Sequence, residues 1–265
     1  MKILINGGLA YDSGKTRLGL TLISELRSVG IDLLPLKPVA GHNIWYSFST
    51  VQKSLEKGVL LGNDALAYHE LTGMDPEQVN PFAVLLSPVN LEAIGKNTSL
   101  YNYLMEKGYP IILRIRKDNC SEYIIEEHQL VPESLKPALN AMKERFKPKI
   151  NSIESINEII ANSGYLVKEY VKRFLESNSN VIVESYNNAA FPTFIEDLDY
   201  VITVFPSLAY VFDGVDYMRF IRFMSKAPWL IKAELALRYI RSVHFALEPI
   251  TSKNNELVNY LIRKS

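Results

Sequence analysis

The run Ile3-Leu4-Ile5-Asn6-Gly7-Gly8-Leu9-Ala10-Tyr11-Asp12-Ser13-Gly14-Lys15-Thr16 constrains this chain more than any other segment. An apolar stretch that fits a fully buried strand empties into a glycine-bearing turn. The turn opens a segment with Leu18, Leu20, Leu22, Ile23 and Leu26 on an apolar side, Arg17, Glu25 and Arg27 left for water, and Gly30 as a stop, which is the pattern of an amphipathic helix. Strand, glycine turn and helix in that order read as a phosphate-binding loop. Glycines let the backbone approach a phosphate closely, successive amide N–H groups and the positive end of the helix hold the charge, Lys15 reaches the outer phosphates, and the Thr16 hydroxyl ligates Mg²⁺. The expected nucleotide-binding residues are therefore Gly8, Asp12, Ser13, Gly14, Lys15, Thr16 and Arg17. Five residues separate Gly8 from Gly14, one more than the usual spacing.

The hydrophobic share of 48% over 265 residues is ample for a large core, and no boundary is evident, so the expectation is one domain spanning 1–265. Basic and acidic residues balance at 29 each. There is thus no basic excess of the kind that binds nucleic acid or anionic lipid nonspecifically, and neither partner is expected. The single Cys120 excludes an internal disulfide and a multi-cysteine metal site, which suits a reducing compartment. The N-terminus enters the first strand with no room for a cleavable signal, and no apolar run is long enough to cross a bilayer, so the expected location is the cytoplasm.

Strands alternating with helices predict an α/β fold, a doubly wound and mainly parallel sheet covered on both faces. A second strand, Ile31 to Leu36, should end in a loop Lys37-Pro38-Val39-Ala40-Gly41 on the same edge as the phosphate loop, where open α/β sheets collect ligands. Helices are expected around Thr50 to Lys57, from Asn63 or Asp64 to Thr72, around Glu133 to Phe146, and from Ser152 to Leu175 with a break at Ser163-Gly164. Asn180-Val181-Ile182-Val183-Glu184 and Tyr200 to Phe205 read as buried strands. Helices about Tyr217 to Lys226 and Pro228 to Tyr239, a strand at Val243 to Leu247 and a terminal helix follow. The stretch 109–127 reads as an antiparallel hairpin inserted on the parallel sheet, turning at Lys117 to Ser121.

A phosphate loop needs carboxylate for its metal, since Mg²⁺ takes a few protein oxygens beside phosphates and waters. Glu184, at the end of a strand buried on both faces, is delivered to the ligand edge, and Asp64 is the second candidate or else a plain helix cap. Lys37 closes a strand beside the loop, where its ammonium could neutralise a transferred phosphoryl group or an anionic substrate. Asp12 either touches ribose, metal or substrate or turns the loop on itself. His42, His69, His128 and His244 show no metal-ligand spacing, and only His42 falls near the expected site. Trp45, Tyr46 and Phe48 form either a binding wall or local packing.

Taken together, Gly8 with its long loop to Gly14-Lys15-Thr16, the acid at Asp12, Lys37-Pro38-Val39-Ala40, Asn63-Asp64-Ala65-Leu66-Ala67, Asn80-Pro81-Phe82 and Ser87-Pro88 stand in the order seen in dethiobiotin synthetase, and the likeness resumes around Glu184. The chain resembles a divergent member of that family. The resemblance implies a doubly wound ATPase, often a homodimer, that binds ATP and Mg²⁺, phosphorylates a carbamate and lets a neighbouring amine close a cyclic urea. It implies that Lys15 and Thr16 hold phosphates and metal, that Asp64 and Glu184 complete the metal shell, and that Lys37 stabilises carbamate or phosphoryl charge. The family follows its strand-end Glu with Gly-Ala-Gly-Gly, whereas here Ser185-Tyr186-Asn187-Asn188-Ala189-Ala190 fills the cradle. Asn187 and Asn188 are accordingly expected substrate contacts for a different small molecule. The alternative is a nucleotide-dependent switch or partner-activated ATPase or GTPase. Against it stand Ala10, where related partitioning ATPases carry a second lysine, and the lack of an Asn-Lys-x-Asp element for guanine.

Overall fold

In the computed structural model, which describes residues 1–117, 120–126, 130–248 and 254–264, the N-terminal apolar run is a strand buried along nearly all its length. Among the described residues the order is β1 (Lys2–Gly7), α1 (Lys15–Ser28), β2 (Leu34–Leu36), β3 (Val39–Asn43), α2 (Phe48–Lys57), α3 (Asn63–Thr72), α4 (Pro76–Val79), β4 (Phe82–Ser87), α5 (Thr98–Lys107), β5 (Tyr109–Lys117), β6 (Cys120–Glu126), α6 (Lys136–Phe146), β7 (Lys149–Asn151), α7 (Ile153–Ala161), α8 (Ser163–Leu166), α9 (Lys168–Ser177), β8 (Val181–Glu184), β9 (Tyr200–Phe205), β10 (Leu208–Asp213), α10 (Gly214–Phe223), β11 (Val243–Ala246) and α11 (Asn255–Lys264). The fold is α/β with mixed sheets. No helix among the described residues is long and apolar enough to cross a membrane.

The chain divides into two compact units, one of Met1–Pro38, Ala67–Met74 and Gly164–Ser265, the other of Val39–Leu66 and Asp75–Ser163. The first carries a six-stranded sheet in the order β11-β10-β9-β1-β8-β2. β1 is parallel to β8 and β9, and β2 is parallel to β8, so the strands that hold the glycine loop and Glu184 are neighbours with their carboxyl ends on one edge. Such strands are buried on both faces and read as unbroken apolar runs, as Ile3-Leu4-Ile5 and Val181-Ile182-Val183 do. α1 buries Leu18, Leu22, Ile23 and Leu26. β9 returns directly into the antiparallel β10, a strand the sequence reading missed.

The second unit carries a five-stranded sheet in the order β3-β4-β5-β6-β7, parallel at its two ends and antiparallel between β4, β5 and β6. Its core gathers Ile44, Val51, Leu85, Ile111, Ile112 and Met142. The fully buried Arg114 guanidinium is satisfied by the carbonyls of Leu60 and Asn80.

Three expectations change. The hairpin expected at 109–127 does not ornament the first sheet: β5 lies between β4 and β6, and β6 between β5 and β7. Tyr109 to Ile115 is buried throughout, which marks an interior strand. Asp118, Asn119, Glu127 and His128 lie outside the described residues. Val39–Asn43, expected as loop, is β3 of the second sheet, and only Lys37-Pro38 separates it from β2, with Pro38 unable to donate to a ladder. Pro228 to Tyr239 forms 3₁₀ turns at Pro228–Leu230 and Ala233–Arg238 instead of one helix. Between them Lys232 bridges to Ala189 and the Ala233 N–H donates to the Asn188 carbonyl at 2.8 Å, which draws the backbone out of helix.

Candidate functional site

The segment from Gly8 to Gly14 joins β1 to α1. Gly14 has φ 91°, a left-handed conformation that strains an L side chain, and its carbonyl accepts the Leu18 N–H at 3.0 Å to start the helix. Gly7 is where the loop folds back on the strand. A Cβ there would stand 2.6 Å from Ser13 Oγ, 2.8 Å from Lys15 Nζ and 2.9 Å from the Asn187 carbonyl oxygen. Gly8, the glycine singled out from the sequence, fixes the loop to β9: its N–H donates to Val204 O at 2.9 Å, and a Cβ would fall 2.1 Å from the Phe205 ring. Ser13 is buried, while Asp12 and Arg17 are exposed. Asp12 has φ 53°, in keeping with its turn-forming role.

Lys15 Nζ donates to the Asn187 carbonyl at 2.9 Å and to Ser13 Oγ at 3.2 Å. Asn187, at φ 46°, thus meets the loop through its backbone. Asn188 turns its amide toward Glu234 at 3.3 Å, and Ser185 Oγ donates to Ala189 O at 2.8 Å, so the segment after β8 is tied down by its own hydrogen bonds.

Glu184 sits at the carboxyl end of β8, level with Ile5 of β1, and is 1% exposed. Its Oε1 accepts from Lys37 Nζ at 2.6 Å and from Thr16 Oγ1 at 2.9 Å. Its Oε2 accepts from the Tyr68 hydroxyl at 2.7 Å. Lys37 also donates to the Ser185 carbonyl at 2.8 Å and is 2% exposed, so it is no solvated strand-end lysine. The register explains the pairing: Leu36 of β2 lies opposite Val183, which sets Lys37 beside Glu184 on the next step.

Tyr68 was invisible as a site residue. Its one sequence signal is Gly19, a glycine inside an otherwise good helix, which costs about 1 kcal/mol relative to Ala and so points to a close approach. A Cβ on Gly19 would lie 2.1 Å from the Tyr68 hydroxyl oxygen.

Asp64 belongs to the second unit, in the first turn of α3. There its charge acts on His42, raising a pKa that burial lowers more strongly, to about 4. Neither ring nitrogen of His42 has a hydrogen-bond partner among the described residues. His69 Nδ1 lies 2.8 Å from the Met74 carbonyl, and His244 rests near the Tyr210 ring. Trp45 and Tyr46 are exposed, so local packing does not account for them.

Among the described residues no group of three or more His, Cys, Asp or Glu is placed to hold a metal alone. Mg²⁺ needs none, because one or two carboxylates with phosphate oxygens and waters complete its shell. The Thr16 hydroxyl and Glu184 carboxylate at the head of α1 offer that kind of incomplete oxygen set, beside a lysine and the N-terminal amides of a helix. No protein-family model, curated protein or solved structure matches the chain.

Proposed function

We propose that the protein is a Mg²⁺-dependent nucleoside triphosphatase of the P-loop type, resembling dethiobiotin synthetase, that uses ATP to activate a carboxylate, carbamate or amine of a small metabolite. The observation that carries this reading is the hydrogen bond of 2.9 Å between Thr16, the second residue of α1, and the buried Glu184. A glycine turn alone is a weak signal, but a strand-end acid meeting the residue after the loop lysine is the arrangement a phosphate-bound Mg²⁺ requires. Gly7 lets the loop backbone close on Lys15 and Ser13 at a point where a methyl group would clash with both, which keeps the lysine at the turn.

In this reading Lys15 exchanges the Asn187 carbonyl and Ser13 for phosphate oxygens. The first amides of α1 add the helix's partial positive charge. Thr16 and Glu184 hold the metal, and bound Mg²⁺ supplies charge neutralisation to the phosphates. Lys37, anchored by Glu184, presents an ammonium for charge on the transferred group, and Tyr68 and Ser185 keep acid and lysine in place. Asn187 and Asn188 occupy the place where the family's glycines leave an open cradle, which favours an acceptor other than the family's diamine.

The test is phosphate release from ATP with Mg²⁺, with and without bicarbonate and a panel of diamines and amino acids, for the natural protein, Lys15→Ala and Glu184→Gln. Turnover that a small molecule stimulates, that Lys15→Ala abolishes and that Glu184→Gln shifts to higher Mg²⁺ is expected. Undiminished turnover in Lys15→Ala, or a Mg²⁺ dependence untouched in Glu184→Gln, would overturn the assignment.

A further inference from the structure

Three groups of the first unit converge on Gly7. The Cβ that this residue lacks would stand 2.6 Å from Ser13 Oγ, 2.8 Å from Lys15 Nζ and 2.9 Å from the Asn187 carbonyl oxygen, and that oxygen accepts from Lys15 Nζ at 2.9 Å. The Asn187 carbonyl thus holds the loop lysine in the manner of a phosphate oxygen, as an acceptor set against an ammonium at the glycine turn. Phosphate oxygens that take Lys15 compete with it.

The carbonyl stands at the apex of a short loop that is pinned at both ends. At one end the Ser185 N–H donates to Ile5 O at 2.8 Å, and the Ser185 carbonyl accepts from Lys37 at 2.8 Å. At the other the Ala190 N–H donates to Ile231 O at 2.8 Å, and the Ala190 carbonyl accepts from Asn6 Nδ2 at 2.9 Å. Between them Asn187 is exposed and has φ 46°, a left-handed conformation that is unfavourable for an L residue, though less so for Asn than for most. Asn188 ties this apex to the start of the 3₁₀ turn Ala233–Arg238: its carbonyl accepts the Ala233 N–H at 2.8 Å, and its amide donates to the Glu234 carboxylate at 3.3 Å.

We propose that residues 186–189 form an autoinhibitory clasp on the phosphate loop, closed on Lys15 when no nucleotide is bound and released when a triphosphate takes the lysine. The inference rests on the phosphate-loop reading above and adds a regulation to it. In the closed state the hydrogen bond from the charged Lys15 offsets the left-handed turn at Asn187. Once phosphate holds the lysine that offset is gone, and the apex moves away from Gly7. The pinned ends confine the change, so it reaches Ala233 and Glu234 through Asn188 and leaves Ser185 and Ala190 in place. Closed molecules do not offer Lys15 to phosphate, so the apparent affinity is lowered by the fraction that is open, and whatever weakens the clasp tightens binding.

The experiment joins titration calorimetry to amide hydrogen exchange read residue by residue by NMR, on the full chain with Mg²⁺ and a non-hydrolysable ATP analogue, and on Lys15→Met and Glu234→Ala. The analogue should speed exchange of the Ala233 N–H, and of the Ala189 N–H that donates to Tyr186 O at 3.0 Å, by about ten- to a hundredfold, as expected for loss of a hydrogen bond from a charged donor. Ser185 and Ala190 should stay protected. Lys15→Met should show the same pattern with no nucleotide present. Glu234→Ala, which alters none of the residues assigned to phosphate or metal, should bind the analogue about three- to tenfold more tightly, a gain that damage to the fold would not produce. Binding that slows or leaves unchanged the exchange of Ala233 would overturn the clasp alone. So would unchanged exchange in Lys15→Met, or equal or weaker binding by a Glu234→Ala chain that keeps its protection at Ser185 and Ala190. No binding of the analogue by the natural chain would overturn the phosphate-loop reading and this inference with it.

Discussion

Replacing Lys37 by Met tests whether the ion pair at the carboxyl end of β8 is as dry as it looks. The side chains of Lys37 and Glu184 are 3% and 1% exposed and meet at 2.6 Å. At an effective dielectric of about 20 two charges at that distance attract by about 6 kcal/mol. Desolvating each ion costs several kcal/mol in the other direction, so the intact pair contributes little on balance. Lys37→Met leaves Glu184 buried and takes away its cation, while the Thr16 and Tyr68 hydroxyls stay. The expected loss is about 3–5 kcal/mol, the range seen when one partner of a buried pair is removed. Adding Glu184→Gln removes the stranded charge, and the double variant should return to within about 2 kcal/mol of the starting protein. The assay is urea unfolding of the four proteins of the cycle. The chain has two tryptophans, Trp45 in the second unit and Trp229 in the first, so a Trp45→Phe background makes fluorescence report the unit that holds the pair. A loss below about 1 kcal/mol for Lys37→Met, or simple additivity in the double variant, would refute the reasoning, since either outcome means that water or a relaxed backbone solvates Glu184.

Tyr68→Phe deletes a hydroxyl that donates to the buried carboxylate at 2.7 Å and should cost about 1.5–3 kcal/mol in the same unfolding assay. Gly19→Ala should reproduce much of that loss by pushing the ring away, and full stability in Gly19→Ala would show that Tyr68 yields at no cost. Gly7→Ala places a methyl group against Ser13, Lys15 and Asn187; a loss of triphosphate binding in calorimetry larger than its loss of stability, about 1–3 kcal/mol, is expected, and unchanged binding would clear Gly7 of any part in the cradle. His42 is held near pKa 4 against an ordinary 6.5, chiefly by burial. Between those values the unfolded chain takes up a proton that the folded one refuses, so stability falls with pH through that window, by up to about 3 kcal/mol, and is fully present above it. Trp45 fluorescence in urea at pH 7.5 and 5 should show a smaller fall for His42→Gln than for the natural chain, and parallel curves would contradict the burial.

What could be read from the sequence was what local chemistry decides. The unbroken apolar runs Ile3-Leu4-Ile5 and Val181-Ile182-Val183 have no polar face, so they could only be interior strands, and Gly14-Lys15-Thr16 could only end a turn and open a helix. An acid closing one run and a lysine closing the second strand of the chain were legible as a pair of candidates for the same edge. Their contact was not, because it depends on β2 and β8 being sheet neighbours with Leu36 opposite Val183, a register set by packing between segments far apart in the chain. Tyr68 joins Glu184 for the same reason: α3 looks like any helix until Gly19 of α1 makes room for its ring. The second sheet escaped because the chain enters it across Lys37-Pro38 with no change of composition, and a buried antiparallel strand such as β5 reads the same whether it ornaments one sheet or stands inside another. Sequence by itself determined the buried strands β1, β8 and β9, the helix after the glycine turn and a set of candidate residues; the tertiary structure decided where the remaining strands lie and which residues meet, since pairing and burial are long-range choices made by the whole core.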